Sequence, residues 1–495
     1  MSRPTILTER RLTELAGLIG TNQEVDPSIS FTGVCSNSRS IIPGDLFFAL
    51  PGEKSHGIEF LKSALDRGAR IVITDAQGAV RAAQISPATP VLQVPRPRSI
   101  CGDVASWFYG EPSKSLFIAG ITGTNGKTTT TYLLNQLWKA ADFKSGLIGT
   151  IGISYGDHLI PATHTTPESD ELQRLLACMK EVGVRDVAME VSSHALDQGR
   201  VLGTRFQVAG FTNLTQDHLD YHGTMANYFM AKSRLFAYGQ SELGIVCIDG
   251  EYGRRLWDEM QIPKRSISTT GKADWHFERV EKNLKGFELL IRGVDGISIA
   301  NQFNLIGNHN LENLLLAVAI AHESGVDPLV IADALPQLSG APGRLERINS
   351  DKYLAMVDYA HTPDAVSRVL AGVRGQGKRV IAVLGCGGDR DSSKRSLMGK
   401  ALNEGADIPI FTSDNPRSED PEKILADMTA QLSIKPGGEV IVDRKTAIHR
   451  AVELAGPEDL ILILGKGHES GQEIKGVKIP FSDKEVLQSA IEALG

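Results

Sequence analysis

Residues 120–131 read GITGTNGKTTTT, after the apolar run SLFIAG and before TYLLNQLWKAAD. No other stretch constrains the chain as much, because it demands a strand, a tightly curled glycine loop and a helix in immediate succession. Gly123 and Gly126 let backbone N–H groups turn toward phosphate oxygens, with Thr124, Asn125 and Thr129 in the same loop. Lys127 can reach β- and γ-phosphates, and the Thr128 hydroxyl can ligate magnesium. The pattern G-x-x-x-x-G-K-[ST] fails at one position, since Ile121 stands where its first glycine belongs. An ordinary glycine-rich turn is the alternative; strand context, Gly-Lys-Thr and the threonine run favour a nucleoside triphosphate site. The loop does not name the reaction, because kinases, GTPase switches, motors and ligases all carry one.

The rest of the chain follows the same alternation of short apolar strands and longer amphipathic helices, which predicts α/β architecture throughout. With 495 residues, about three domains are expected. Gly110-Glu111-Pro112 and Ser339-Gly340-Ala341-Pro342-Gly343 punctuate the sequence. They predict a smaller N-terminal α/β domain (1–111), a central doubly wound P-loop domain (112–341) and a C-terminal Rossmann-like domain (342–495). Polar clusters follow strand-like runs: DVAME leads into VSSHALDQGR, VAGFT into NLTQDHLDYHG, RVIAVLG into CGGDRD, IPIFTS into DNPR, and LILILG into KGHE. Ligands in open α/β sheets lie beyond the carboxyl ends of strands, so two loaded sheet edges are expected, facing each other across a cleft.

The net charge of −7 argues against a broad nucleic-acid surface. Cys35, Cys101, Cys178, Cys247 and Cys386 are odd in number and contain no CxxC pair, which fits a reducing compartment. No apolar run approaches a membrane span of roughly 18 residues, and Glu9, Arg10, Arg11 and Glu14 interrupt any signal-peptide core. The expectation is a cytoplasmic protein with no membrane or nucleic-acid partner.

GTNGKTTT, EVSSHALDQGR, TNLTQDHLDYHG, the lysine of YFMAKSRLF, GNHNLENLLLA, GRLE and DYAHTPDA occur in one order over nearly the whole chain. Together they resemble the Mur ligase family. GCGGDRD, DNPR and GKGHE narrow the likeness to the branch that adds the third amino acid of the peptidoglycan precursor. The resemblance implies ATP-dependent activation of a substrate carboxylate as an acyl phosphate, followed by attack of an amine to give an amide, ADP and phosphate. Such chemistry calls for positioning and charge neutralisation more than for a protein nucleophile.

By the same resemblance, Glu190 and His218 join Thr128 as magnesium ligands. Lys232 carries a CO2-derived carbamate that helps bind a second magnesium, which requires burial near cations to keep its amine unprotonated. Read alone, Glu190 could cap a loop, His218 could be a structural histidine and Lys232 a solvated helix charge. The resemblance further assigns Asn308, His309 and Asn310 to the nucleotide base, with Asn313 in the same segment. Arg344 and Asp358, with His361 nearby, are the third domain's contribution to ATP.

The segment VCSNSRSIIPGDLFFALPGEKSHGIEF resembles the part that holds the UDP moiety, with Ser36 and Ser38 on uridine and Glu53, Lys54 and Ser55 in the following loop. Thr165, Thr166, Ser192, Gln198 and Arg200 match positions for the muramoyl portion, and His164 stands where related enzymes often have Asn. Amine choice falls to Arg390, Asp414, Asn415, Pro416, Arg417, Gly465 and Glu469. An arginine can pair bidentately with the second carboxylate of meso-diaminopimelate, which L-lysine lacks. The predicted substrates are therefore ATP, a UDP-muramoyl dipeptide and meso-diaminopimelate, handled with Mg2+ by a monomer. The alternatives are a lysine-adding sister ligase, a folylpolyglutamate synthase and, from another class, a binding protein gated by nucleotide.

Overall fold

Strands buried on both faces need no polar alternation, and runs such as Ile118–Thr122 and Leu460–Leu464 accordingly lie wholly inside. The computed structural model describes all of the chain except residues 1–2, 6–7, 53–54, 284–285, 349, 351, 431 and 495. Three larger sheets organise it, beside two that have two strands each. The first is parallel, in the order β1 (Gly33–Cys35), β2 (Asp45–Phe48), β3 (Ile71–Thr74), β4 (Val91–Gln93), and is followed by α1 (Pro97–Phe108).

The central sheet has 11 strands. They are β5 (Phe117–Thr122), β6 (Ser145–Gly149), β7 (Gly152–Tyr155), β8 (His158–Ile160), β9 (Asp186–Glu190), β10 (Phe206–Phe211), β11 (Ser241–Cys247), β12 (Lys264–Ser268), β13 (Trp275–Asn283), β14 (Gly286–Arg292) and β15 (Ser298–Phe303). Their spatial order is β8-β7-β6-β9-β5-β10-β11-β12-β13-β14-β15. Pairing is parallel from β6 to β13 and antiparallel at both margins. The margins were not legible as sheet extensions, and the outer part of β13 (ERVEKN) is largely solvent-facing. Chain direction across the sheet reverses at β5, the switch point where a ligand crevice belongs. Helices α2 (Lys127–Ala140), α3 (Ser169–Glu181), α4 (Met225–Ser233) and α5 (His309–Glu323) pack on this sheet, α2 against α5 through Leu133, Leu137, Leu314 and Ala317.

The third sheet runs β16 (Glu346–Ile348), β17 (Leu354–Asp358), β21 (Leu460–Leu464), β18 (Val380–Cys386), β19 (Ile408–Ser413), β20 (Glu439–Val440), all parallel except β16. Its helices include α6 (Ser393–Gly405), α7 (Arg444–Leu454) and α8 (Asp483–Leu494). Arg444, wholly buried, forms a bidentate pair with Asp483 at 2.7 Å. It also donates to the carbonyls of Ser413 and Leu464, tying together the ends of β19 and β21. All five cysteines are free and buried. Among the described residues no helix is long and apolar enough to cross a membrane.

Candidate active site

The loop after β5 takes the left-handed backbone its glycines permit, with φ of +152° at Gly123 and +89° at Gly126. A Cβ at Gly126 would lie 2.2 Å from Asn313 Oδ1, so glycine is required there by space as well as by φ. Lys127 folds back and donates to the carbonyls of Gly123 and Thr124, both at 2.9 Å. The Thr128 hydroxyl donates to Glu190 Oε2 at 2.8 Å. Glu190, at the end of β9, also accepts from the Thr150 N–H at 2.8 Å and from its hydroxyl at 3.1 Å.

Lys232 is 1% exposed, so the solvated-charge reading fails. Its Nζ donates to the same Gly123 carbonyl at 2.8 Å. Burial first, and then the charge of Lys127, push its pKa well below the ordinary lysine value. That shift favours the neutral amine, the form a carbamate requires. His218 sits in the left-handed region (φ 54°), and its Nε2 is 3.4 Å from Asp217. Burial lowers its pKa against the pull of Asp217, favouring the neutral imidazole that can act as a ligand. No group of three or more His, Cys, Asp and Glu side chains among the described residues could hold a metal alone. The available donors are instead the Thr128 hydroxyl, the Glu190 carboxylate and the His218 imidazole. Two of the three are hard oxygens of the kind magnesium takes, and the set fits that ion.

Beside the loop, a cavity is lined by Asn125, Gly126, Thr129, His309, Asn310, Arg344 and Asp358. It therefore joins the central and third domains. Arg344 reaches Thr128 Oγ1 at 3.5 Å and lies over the Tyr359 ring. Asn125 bonds Asp364 across the same junction at 3.2 Å. The His309 Nδ1 and Arg344 Nε atoms are buried without a hydrogen-bond partner among the described residues. Two orphaned polar atoms in one cavity point to a ligand that completes them. Asp358 is already used by the N–H groups of Leu345 and Ala360, at 2.7 Å each. Asn308 is exposed at the start of α5 and does not line the cavity. Glu312 does line it, a residue missed in the sequence. It accepts from Asn213 at 2.9 Å, and burial raises its carboxyl to about 7. Its only advance signal was a charge inside the apolar run NLENLLLA.

A cleft of about 630 Å³ separates the two larger sheets. From the central domain come His164, Thr165, Ser192, Gln198 and Arg200; from the third come Arg390, Asp414, Asn415, Arg417, Gly465 and Glu469. Thr166 and Pro416 do not line it. Thr166 is wholly buried, donating to the Glu190 carbonyl and accepting from the Ser192 N–H, so its hydroxyl shapes the strand end instead. Pro416 turns its carbonyl toward Gly388, where a Cβ would come within 2.0 Å of it. Arg417 (φ 52°) donates to the Gly388 carbonyl at 2.7 Å and pairs with Glu473 at 3.3 Å. Lys466, missed in the sequence, is wholly buried and donates to Asn415 Oδ1 at 3.0 Å and Glu469 Oε2 at 2.8 Å. Gly465 (φ +113°) leaves room for Asp414, whose Oδ2 would lie 2.6 Å from a Cβ there.

The N-terminal domain holds a further cavity of about 370 Å³, lined by Ser36, Ser38, Ser55, Phe60, Arg98 and Glu168 among others. Ser36 is held by Asp170 of α3 through its N–H at 2.8 Å and its hydroxyl at 2.6 Å. Glu53 and Lys54 lie outside the described residues.

Three family models match in succession: the Mur ligase family catalytic domain at residues 30–109, the Mur ligase middle domain at 121–321, and the Mur ligase glutamate ligase domain at 343–467. A UDP-N-acetylmuramoyl-L-alanyl-D-glutamate–2,6-diaminopimelate ligase from Streptomyces coelicolor is 45% identical, over 99% of this chain and 98% of its own length. The Aquifex aeolicus protein of the same name is 42% identical over 93% of each. A solved structure bearing that enzyme name superposes with a TM-score of 0.69 at 34% identity, covering 97% of this chain and 98% of that one. A folylpolyglutamate synthase from Mycobacterium tuberculosis shares the fold at a TM-score of 0.62 and 19% identity, over 74% of this chain and 92% of its own.

Proposed function

We infer function from one premise: this chain belongs to the Mur ligase family. It is an ATP-dependent, amide-forming ligase of peptidoglycan precursor synthesis. Its reaction joins 2,6-diaminopimelate, as the meso isomer, to UDP-N-acetylmuramoyl-L-alanyl-D-glutamate. One observation carries the reading of the site. A single cleft is lined by Arg417, Asp414 and Glu469 of the third domain and by Thr165, Ser192, Gln198 and Arg200 of the central one. A carboxylate held by one wall and an amine held by the other therefore meet in a single space.

In this reading the substrate carboxylate oxygen attacks the γ-phosphorus of ATP, and ADP leaves. The nitrogen of the amine then attacks the acyl carbon, phosphate departs, and the nitrogen loses a proton to become the amide. Lys127 supplies positive charge to the phosphates once ATP draws it away from the loop carbonyls. The backbone N–H groups of 123–127 cradle them. The cavity beside the loop takes the adenosine, with His309 and Arg344 gaining the partners they lack. Thr128, Glu190 and His218 would hold magnesium, with Lys232 as carbamate adding oxygen donors. Bound there, the ion would neutralise charge on the phosphates. Arg344 reaches the P-loop from the third domain, so both sheets must approach for ATP to be gripped.

On the amine side, Arg417 reads the distal carboxylate while Glu469 and Asp414, held by Lys466, meet the ammonium. The test is kcat/KM for meso-diaminopimelate in Glu469→Gln and Arg417→Ala against wild type. Both should fall while KM for ATP is kept. Unchanged amine kinetics in both variants would remove the pocket from this role.

A further inference from the structure

The linings of the N-terminal cavity and of the interdomain cleft are linked at Glu168, the residue that caps the start of α3. There one carboxylate, Glu168, holds two arginines. Its Oε2 accepts from Arg98 Nη1 at 3.0 Å, and its Oε1 lies 3.1 Å from Arg200 Nε. Arg98 and Glu168 line the N-terminal cavity, and Arg200 lines the cleft. Arg98 rises from the start of α1, in the N-terminal domain, while Glu168 and Arg200 belong to the central domain.

We propose that Arg98 binds the diphosphate of the nucleotide-sugar substrate at this border, where it shares the Glu168 carboxylate with Arg200. The inference rests on the reading above, in which the substrate spans both cavities. Such a molecule has a nucleoside at one end, a sugar peptide at the other and two phosphates between. Ser36, Ser38 and Ser55 offer only neutral groups to the nucleoside end. Where the ligand must leave that cavity toward the cleft, the wall becomes cationic. Arg98 remains 32% exposed while one nitrogen is tied to Glu168. Its planar fork therefore has an open edge for phosphate oxygens. Glu168 would repel a diphosphate if unpaired, but its charge is shared between two arginines. Arg39, the other described cation lining the cavity, is the competing candidate.

UDP and uridine, titrated separately into the full-length enzyme, distinguish these roles. Arg98→Ala should weaken UDP roughly 10- to 100-fold, the loss expected for a hydrogen bond to a charged group. Uridine binding and KM for ATP should not move, and Arg98→Lys should fall between. Glu168→Gln removes the negative charge from the same interdomain pair and should bind UDP as well as wild type or better. The proposal is overturned if Arg98→Ala keeps UDP affinity, if UDP and uridine weaken equally, or if Arg39→Ala loses UDP in its place. Loss of UDP binding in Glu168→Gln to the extent seen in Arg98→Ala would mark the pair as an interdomain strut and overturn it too. Wild-type enzyme that binds no UDP would overturn the nucleotide-sugar reading itself, and this inference with it.

Discussion

Replacing Lys232 with methionine should separate stability from activity at a single position. The side chain is 1% exposed, so methionine of similar length fills its space. Among the described residues its amine donates to the Gly123 carbonyl at 2.8 Å and lies 4.7 Å from the centre of the Tyr228 ring, and Lys127 donates to that same oxygen at 2.9 Å. Removing the amine therefore leaves no orphaned acceptor. The lost hydrogen bond costs about 1 kcal/mol. Against it stands relief from burying a poorly compensated polar group beside another lysine, about 1–3 kcal/mol. The variant should be equal to wild type or up to about 2 kcal/mol more stable in denaturant titration. ADP release in the presence of all substrates should nonetheless fall by about 10³-fold or more, because the proposed carbamate can no longer form. In Lys232→Ala, which leaves room at the same place, a small added carboxylate should restore part of that loss. A folded variant with turnover near wild type would refute the assignment. Destabilisation beyond about 2 kcal/mol would show that the amine instead holds the phosphate loop together, since so large a loss exceeds one hydrogen bond.

Three further outcomes follow from the geometry. Lys127→Ala should abolish ADP formation while leaving the fold intact, since its bonds to the carbonyls of Gly123 and Thr124 lie within the loop itself; normal turnover by the folded variant would exclude its role. Arg417→Ala should lose kcat/KM for meso-diaminopimelate by roughly 10²-fold and narrow the gap to L-lysine. The loss is held below a fully desolvated pair because Arg417 shares its charge with the partly exposed Glu473; unchanged discrimination contradicts it. Glu312 is raised from 4.5 to about 7 by burial, so its folded form holds a proton that the unfolded chain has released. Its contribution is lost as pH rises from about 4.5 through 7, and Glu312→Gln should gain on wild type by up to about 3 kcal/mol between pH 5 and pH 8. A stability difference independent of pH would refute this.

The parts of the site that sequence disclosed were those whose chemistry is local. Gly123, Gly126, Lys127 and Thr128 announce themselves by spacing, and the loops after β9, β18, β19 and β21 by the change from apolar strand to polar cluster. What stayed hidden depends on neighbours distant in the chain. Thr166 reads as a ligand-facing hydroxyl until β9 and the Ser192 N–H close over it. Lys466 looks like one more charge until its burial against Asn415 and Glu469 makes it the support of the amine pocket. Arg98 is an ordinary helix-start arginine until α3 brings Glu168 to it. The antiparallel margins escaped for another reason: β7, β8, β14 and β15 add to a sheet already complete as a nucleotide fold, and short strands of mixed polarity carry no sign of which edge they extend.

The central claim is that one cleft couples ATP cleavage to amide formation between two specific partners. Amine-dependent ADP release tests it most directly, measured with UDP-N-acetylmuramoyl-L-alanyl-D-glutamate and either meso-diaminopimelate or L-lysine. ADP should appear at a substantial rate only when the UDP-dipeptide and an amine are both present, with kcat/KM for meso-diaminopimelate higher than for L-lysine by roughly 10²-fold or more. Equal or preferred use of lysine would contradict the reading of Arg417, and ADP release indifferent to dipeptide and amine would contradict the account as a whole.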